Sequence, residues 1–205
     1  HTRSYSVTGV QTCALPVWWA DCGVIIPWRL YCAYNDKRIL AENYPAMKKY
    51  VDLIIDENPD FIWRHWGSNY GDWLHGDTLQ AKGYPKKGGE CPKDVYATFF
   101  YYLSSLLLSK SADVLGDSKD AQFYRNVAEK VSKAFVTTFI DKKGKIKGDT
   151  QSAYAIALGF GILPAELQSK AIDYLIDAIK KYKGRLSTGF IRSEEHTSEL
   201  QSPNT

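Results

Sequence analysis

From Asp21 to Asn35 the chain reads DCGVIIPWRLYCAYN, apolar at almost every position. From Asp36 to Glu57, by contrast, Ile39, Leu40, Tyr44, Met47, Tyr50, Val51 and Ile54 recur at helical spacing among Lys37, Arg38, Glu42, Lys48, Lys49 and Asp52. The first stretch predicts a helix buried on most sides, with Pro27 a kink or local break, and the second a helix with one wet face. Together they make one helical hairpin.

The same alternation occurs twice more. Asp94 to Leu115 (DVYATFFYYLSSLLLSKSADVL) is dominated by aromatics and leucines, and Gly116, Asp117 and Ser118 close it and cap the next helix. Ser118 to Phe139 then sets Phe123, Tyr124, Val127, Val131, Ala134 and Phe135 against Lys119, Arg125, Glu129 and Lys130. After the turn DKKGKIKGD, Thr150 to Phe160 is small and apolar. Leu163 and Pro164 open a last helix with a stripe of Leu167, Ala171, Ile172, Leu175, Ala178 and Ile179 opposite Lys170, Asp173, Asp177 and Lys180. No segment alternates with strand period to a comparable degree, so the fold class is all-α. If the first helices of the hairpins line an inside and the second ones an outside, they form a partial toroid of about three helical hairpins.

One stretch breaks the alternation. Asn58 to Glu90 is rich in Gly, Pro and Trp, and long loops inside a compact domain are commonly functional or disordered. Trp63, Trp66, Tyr70 and Trp73 favour order, because an exposed indole is an apolar liability unless something packs on it.

Charge narrows the range of partners only slightly. The formal net charge is +3, spread over several segments, which gives no electrostatic case for nucleic acid or an acidic membrane. With Cys13 set aside as part of the N-terminal stretch 1–16, Cys22, Cys32 and Cys91 are an odd set without paired CxxC spacing, which argues against a disulfide framework or zinc site and leaves them as small buried filler. No apolar run is long enough to span a bilayer.

The two ends stand apart from the rest. One DNA duplex can encode Arg192 to Ser202 on one strand and Val7 to Pro16 on the other, a relation expected of a sequencing-library adapter and not of two unrelated protein termini. Residues 1–16 and 192–205 are therefore expected to be adapter-derived, and 17–191 an internal piece of a longer domain.

A cleft for sugar needs flat apolar faces for C–H groups and carboxylates or amides for hydroxyls, since each buried hydroxyl left unpaired costs about 1–3 kcal/mol. Two segments set these side by side: Trp18, Trp19 and Asp21 at the head of the first helix, and Asp72 and Trp73 in YGDWLHGD. The plainer reading makes the tryptophans core residues and the aspartates helix caps. Capping or solvation also accounts for Asp77, Glu90 and Asp94, and Asp149-Thr150-Gln151 reads as a cap for the third inner helix. His65 and His75 lack metal-ligand spacing, so no metal is expected. GxSxG, Walker A and GxGxxG are all missing, which counts against serine-hydrolase, phosphate-loop and dinucleotide chemistry.

In order, WADCGVIIPWRLY, RILAENYPAMKKYVDLI, YGDWL, DTQSAYAIALGFGILP and LSTGFI resemble the middle of bacterial α-L-rhamnosidases, over Trp18 to Ile191. The resemblance implies part of an (α/α)6 six-hairpin catalytic domain without a cofactor. It implies Trp19 and Trp73 lining a rhamnose subsite with Asp21 and Asp72 near the sugar, and a rhamnose-containing glycoside or polysaccharide as partner. In that family terminal α-linked L-rhamnose leaves with inversion, one carboxyl protonating the leaving oxygen and a second activating water about 6.5–9.5 Å away. The family's acid lies upstream of W-A-D and its base in a Trp-Glu segment downstream of S-T-G-F. Neither segment occurs here, so no catalytic residue is assigned and the chain is expected to be inactive by itself. Two other readings are compatible with the residues: a six-hairpin glycosidase of glucosidase or glucuronyl-hydrolase type, or a non-catalytic helical-hairpin module that binds protein. The unequal hairpins and the 58–90 loop count against the second.

Overall fold

A computed structural model describes residues 17–64, 71–72, 85 and 88–189, with the side chains of 17–19 outside the description. Six α-helices run through them: α1 (Val17–Tyr34), α2 (Lys37–Glu57), α3 (Lys93–Leu115), α4 (Ser118–Phe139), α5 (Gln151–Phe160) and α6 (Ala165–Lys181). The sole β pairing among the described residues is one bridge between Ile140 and Ile146. The class is all-α, in three successive hairpins, and no described helix is long and apolar enough to cross a membrane.

The junctions follow from cap chemistry. Asn35, in the left-handed region at φ 53°, ends α1 by donating to the Tyr31 carbonyl at 2.7 Å. Asp36 then caps α2, its side chain accepting from the Arg38 amide at 2.9 Å. Gly116, at φ 85°, closes α3, and Asp117 caps α4 by accepting from the Asp120 amide at 3.0 Å. Thr150 does the same for α5 through the Ala153 amide, confirming the cap expected there.

Pro27 lies inside α1 without ending it, so of the expected kink or local break the break does not occur. A proline in a helix frees the carbonyl four residues earlier and crowds it. Here that residue is the exposed Gly23, so water can reach the freed carbonyl. Pro45 in α2 repeats the arrangement with exposed Ala41.

Contacts divide the chain into two compact units, His1–Asn69 with Ala97–Phe135, and Tyr70–Tyr96 with Val136–Thr205. In the first unit α1 packs on α2. The core there includes Leu40, Met47, Val51 and Ile54 from α2, Phe99 and Leu108 from α3, and Val131 and Phe135 from α4. Phe99 and Phe135 meet with ring centroids 4.8 Å apart, and Ser109 Oγ donates to the Ala121 carbonyl at 2.7 Å, so α3 and α4 also form a hairpin. A half-buried polar network joins α2 to α4. Tyr124 donates to Asp52 at 2.5 Å, and Lys48 donates to both Tyr124 and Asp120, at 2.9 and 2.8 Å. The Lys48 hydrogen bond holds the Asp120 carboxyl below its ordinary range.

The start of the 58–90 loop is anchored in the same unit. Asn58, fully buried, donates to the Ile54 carbonyl and accepts from the Arg64 amide, while the Trp63 amide donates to Thr98 Oγ1 on α3. Trp63 is buried edge-on to Tyr101, ring centroids 6.4 Å apart. Trp66, Tyr70 and Trp73 lie outside the described residues.

In the second unit α5 packs on α6. The connection from α4 carries the Ile140–Ile146 bridge, with Lys147 donating to Asp94 at 2.7 Å. Gly148, at φ 94°, lies so near Pro92 that a Cβ would fall 2.3 Å from its Cδ; no larger residue fits.

Four expectations about burial are corrected. α1 buries Asp21, Val24 and Pro27, one face only, while Ile26, Leu30 and Tyr34 form an exposed row, because no described element covers that side. On α4 the expected stripe holds except for Phe123, which is exposed and packs edge-on against its neighbour Tyr124. On α6 the residues taken out of water are Ala171 and Ala178, with Ile172 exposed. Cys91 is buried filler as expected, but Cys22 is half-buried and Cys32 exposed.

The Phe123 and Phe135 contrast gives a direct check by urea unfolding. Phe135→Ala should cost about 3–5 kcal/mol by leaving a cavity against Phe99, whereas Phe123→Ala should cost under about 1 kcal/mol. Equal losses would contradict the burial pattern.

Candidate functional site

Asp21, in the W-A-D segment, sits in the second turn of α1 and is fully buried in the first unit. Ser104 on α3 donates its Oγ proton to Oδ1 at 2.6 Å, and the Tyr50 hydroxyl on α2 also favours the charged form. Oδ2 completes no well-aligned hydrogen bond among the described residues. No cation stands among these neighbours. Burial outweighs the two hydroxyls, and the carboxyl is pushed up from 3.8 to about 7. Near neutral pH this group is partly protonated, able to donate a hydrogen bond as well as accept one. The same surroundings raise the Tyr50 hydroxyl, first by burial and then by the Asp21 charge. They also raise the Cys22 thiol for the same two reasons, so Cys22 is a poor thiolate.

Asp72, in the G-D-W segment, is buried in the second unit and meets the same problem with a different answer. Ser152 Oγ, in the first turn of α5, donates to Oδ2 at 2.5 Å, and the Gly189 amide donates to Oδ1 at 2.8 Å. Preceding Asp72 is Gly71 at φ 60°, a left-handed corner. Cys91 lies close by, fully buried, its thiol raised by burial, then by the Asp72 charge.

Beside Ser152 is Gln151, also buried. Its Nε2 donates to the carbonyls of Ala178 at 3.2 Å and Arg185 at 3.0 Å, and its Oε1 accepts from the Ser187 amide at 3.0 Å. Gln151 is therefore more than part of a cap: it anchors the segment after α6. Asp149, at φ 51°, accepts from Tyr154 at 2.6 Å and Lys145 at 2.7 Å. Burial opposes its charge, but those two bonds prevail and leave its carboxyl below the ordinary value.

Asp21 and Asp72 are thus each placed within a separate unit, both buried and both bonded to a serine. Trp19 falls in the first turn of α1 with its side chain undescribed, and Trp73, His65, His75 and Asp77 lie outside the described residues. Glu90 is exposed, and Asp94 accepts from the Val95 amide and Lys147, as capping and solvation predicted. The sequence reading passed over Ser104 and Ser152, placed Tyr50 only in an apolar stripe and read Gln151 only as part of a cap. The one available signal was hydroxyl and amide side chains inside otherwise apolar helices, where a buried polar group needs a partner.

An all-α protein of paired helices, with buried carboxyls beside tryptophans in two segments, has the architecture of helical-hairpin glycosidases. Residues 7–202 match the family described as the bacterial alpha-L-rhamnosidase 6 hairpin glycosidase domain, and the chain belongs to that family. It is 36% identical over 173 residues to an alpha-L-rhamnosidase of Streptomyces avermitilis, covering 84% of this chain and 15% of that protein. It is 35% identical over 178 residues to an alpha-L-rhamnosidase of Formosa agariphila, covering 84% of this chain and 18% of that one. The crystal structure of the Streptomyces avermitilis enzyme complexed with L-rhamnose superposes with a TM-score of 0.72 at 34% identity, over 82% of this chain and 15% of that chain. The chain therefore spans less than a fifth of the length of these curated relatives.

The raised Asp21 carboxyl has a signed consequence. Its folded-state value lies above its unfolded one, so its contribution to stability is fully present below about pH 4 and is lost as pH rises through about 7. Between pH 4.5 and 8 the wild-type chain should lose on the order of a few kcal/mol relative to Asp21→Asn, read from urea midpoints. A difference independent of pH would show that Asp21 is not neutral in the fold.

Proposed function

We propose that this chain is the sugar-gripping part of an enzyme that releases terminal α-linked L-rhamnose from a glycoside or polysaccharide, with inversion. The observation that carries this reading is membership of the rhamnosidase six-hairpin family, together with the match to a relative solved with L-rhamnose. Both W-A-D and G-D-W fall within the matched residues, and both aspartates are buried and held by serine hydroxyls. By the family resemblance, Trp19 and Trp73 are each proposed to offer an apolar face to the C–H surface or methyl group of a deoxy sugar. Asp21, partly neutral, contributes a group that can give or take a hydrogen bond. An inverting mechanism also needs an acid and a base on opposite faces of the ring. The segments that carry them in the family do not occur in this sequence, so the chain binds the sugar without cleaving it.

Two measurements test this. L-rhamnose should quench or shift the intrinsic tryptophan fluorescence saturably, D-glucose and an unrelated peptide should not, and Trp73→Ala should weaken the response by about tenfold or more. An aryl α-L-rhamnoside should be left intact by the 205-residue chain. A response equal for both sugars would point to another six-hairpin glycosidase, and aryl release above a protein-free blank would place the catalytic carboxyls within these residues.

A further inference from the structure

We propose that Asp72 is a positioning residue rather than a sugar ligand: it ties the loop that leads into Trp73 to the start of α5 and to the extended segment Arg185–Gly189. The sugar part of this inference rests on the pocket proposed above.

Asp72 is 2% exposed, and its two oxygens are engaged by different parts of the chain, Oδ2 by Ser152 Oγ and Oδ1 by the Gly189 amide, 80 and 117 residues away in sequence. Arg185–Gly189 has no helix or strand of its own. Its backbone is held instead by side chains at alternate residues: the Arg185 carbonyl and the Ser187 amide by Gln151, the Gly189 amide by Asp72. Ser152 and Gln151 are adjacent on α5, so one helical turn supports both the Gly71–Asp72 corner and the terminal segment. Gly71, at φ 60°, turns the chain into Asp72 through a left-handed corner that glycine adopts without strain. A buried carboxylate bonded to two separate parts of its own unit fixes the geometry of the chain at position 72.

The inference separates charge from shape. Asparagine at position 72 keeps an oxygen for the Gly189 amide and sets its NH2 opposite Ser152, whose hydroxyl can accept, whereas alanine removes both ties. The 205-residue chain and its Asp72→Asn, Asp72→Ala and Ser152→Ala variants would be compared by amide hydrogen exchange across 185–189 and by L-rhamnose titration of tryptophan fluorescence. Asp72→Ala should speed Gly189 exchange and weaken rhamnose binding by about tenfold or more, and Asp72→Asn should recover both to within about fivefold of wild type. Ser152→Ala, a milder change, should fall between wild type and Asp72→Ala, and carries the test if Asp72→Ala does not fold. Loss of rhamnose affinity in Asp72→Asn with Gly189 protection intact would show the carboxylate contacting the sugar and overturn the proposal. So would Gly189 exchange unchanged in both Asp72→Ala and Ser152→Ala. If the wild-type chain does not respond to L-rhamnose, the pocket reading fails, and the tie is decided by exchange at Gly189 alone.

Discussion

A carboxyl withdrawn from water must find hydrogen-bond donors or give up its charge, and that constraint organises the parts of this chain that bear on function. Asp72 takes the first course, with a serine hydroxyl and a backbone amide on its two oxygens. Asp21 takes the second, with one firm bond from Ser104, an oxygen lacking a well-aligned partner, and a proton affinity shifted toward neutrality. Asp21 is thus bonded by hydroxyls, Asp72 by a hydroxyl and a backbone amide. The basic side chains stay where water can reach them, in contacts such as Lys48–Asp120 and Lys147–Asp94.

The serines of α3 show the same constraint acting on the scaffold. Thr98, Ser104, Ser105, Ser109 and Ser111 are all buried in a helix otherwise filled with aromatics and leucines. Thr98 receives the Trp63 amide, Ser104 holds Asp21, Ser109 reaches the Ala121 carbonyl on α4, and Ser111 turns back to the Leu107 carbonyl of its own helix. Small hydroxyls suit such a helix because they link neighbours at close range without the entropy and desolvation costs of long charged side chains. The core of the first unit is thus apolar by volume and polar at its joints.

Membership of a six-hairpin family gives the exposed faces a context. The described residues supply three hairpins of that architecture, and the chain spans 15% of the Streptomyces relative. α1 is apolar around most of its circumference but buries one face, and α6 leaves Ile172 and Ile176 in water. In both helices the sequence composition exceeds what the described contacts cover.

Much of the fold was legible because local chemistry settles it. Asp36, Asp117 and Thr150 are residues that cap, Asn35 and Gly116 accept left-handed backbone, and the helical period of α2 and α4 survives any packing. The limits of α4 accordingly agree with the expectation at both ends, and those of α3 to within one residue. Local pattern left Pro27 open between a kink and a break, because whether the helix runs through it depends on the exposure of Gly23 four residues earlier, which is not a local property. Phe123 and Ile172 misled for the same reason, since period assigns a face but not a neighbour.

The sequence by itself determined the helical class, the hairpin order, the caps and the two Trp-Asp segments, because each depends on residues within a turn or two of one another. Only the tertiary structure decided that Asp21 and Asp72 differ. Their local sequences are alike, an aspartate next to or two residues from a tryptophan, but one faces Ser104 across 83 residues and the other binds Ser152 and Gly189 across 80 and 117. The partners that reach a buried carboxyl across such distances fix its role, and nothing in its immediate neighbours along the chain specifies them.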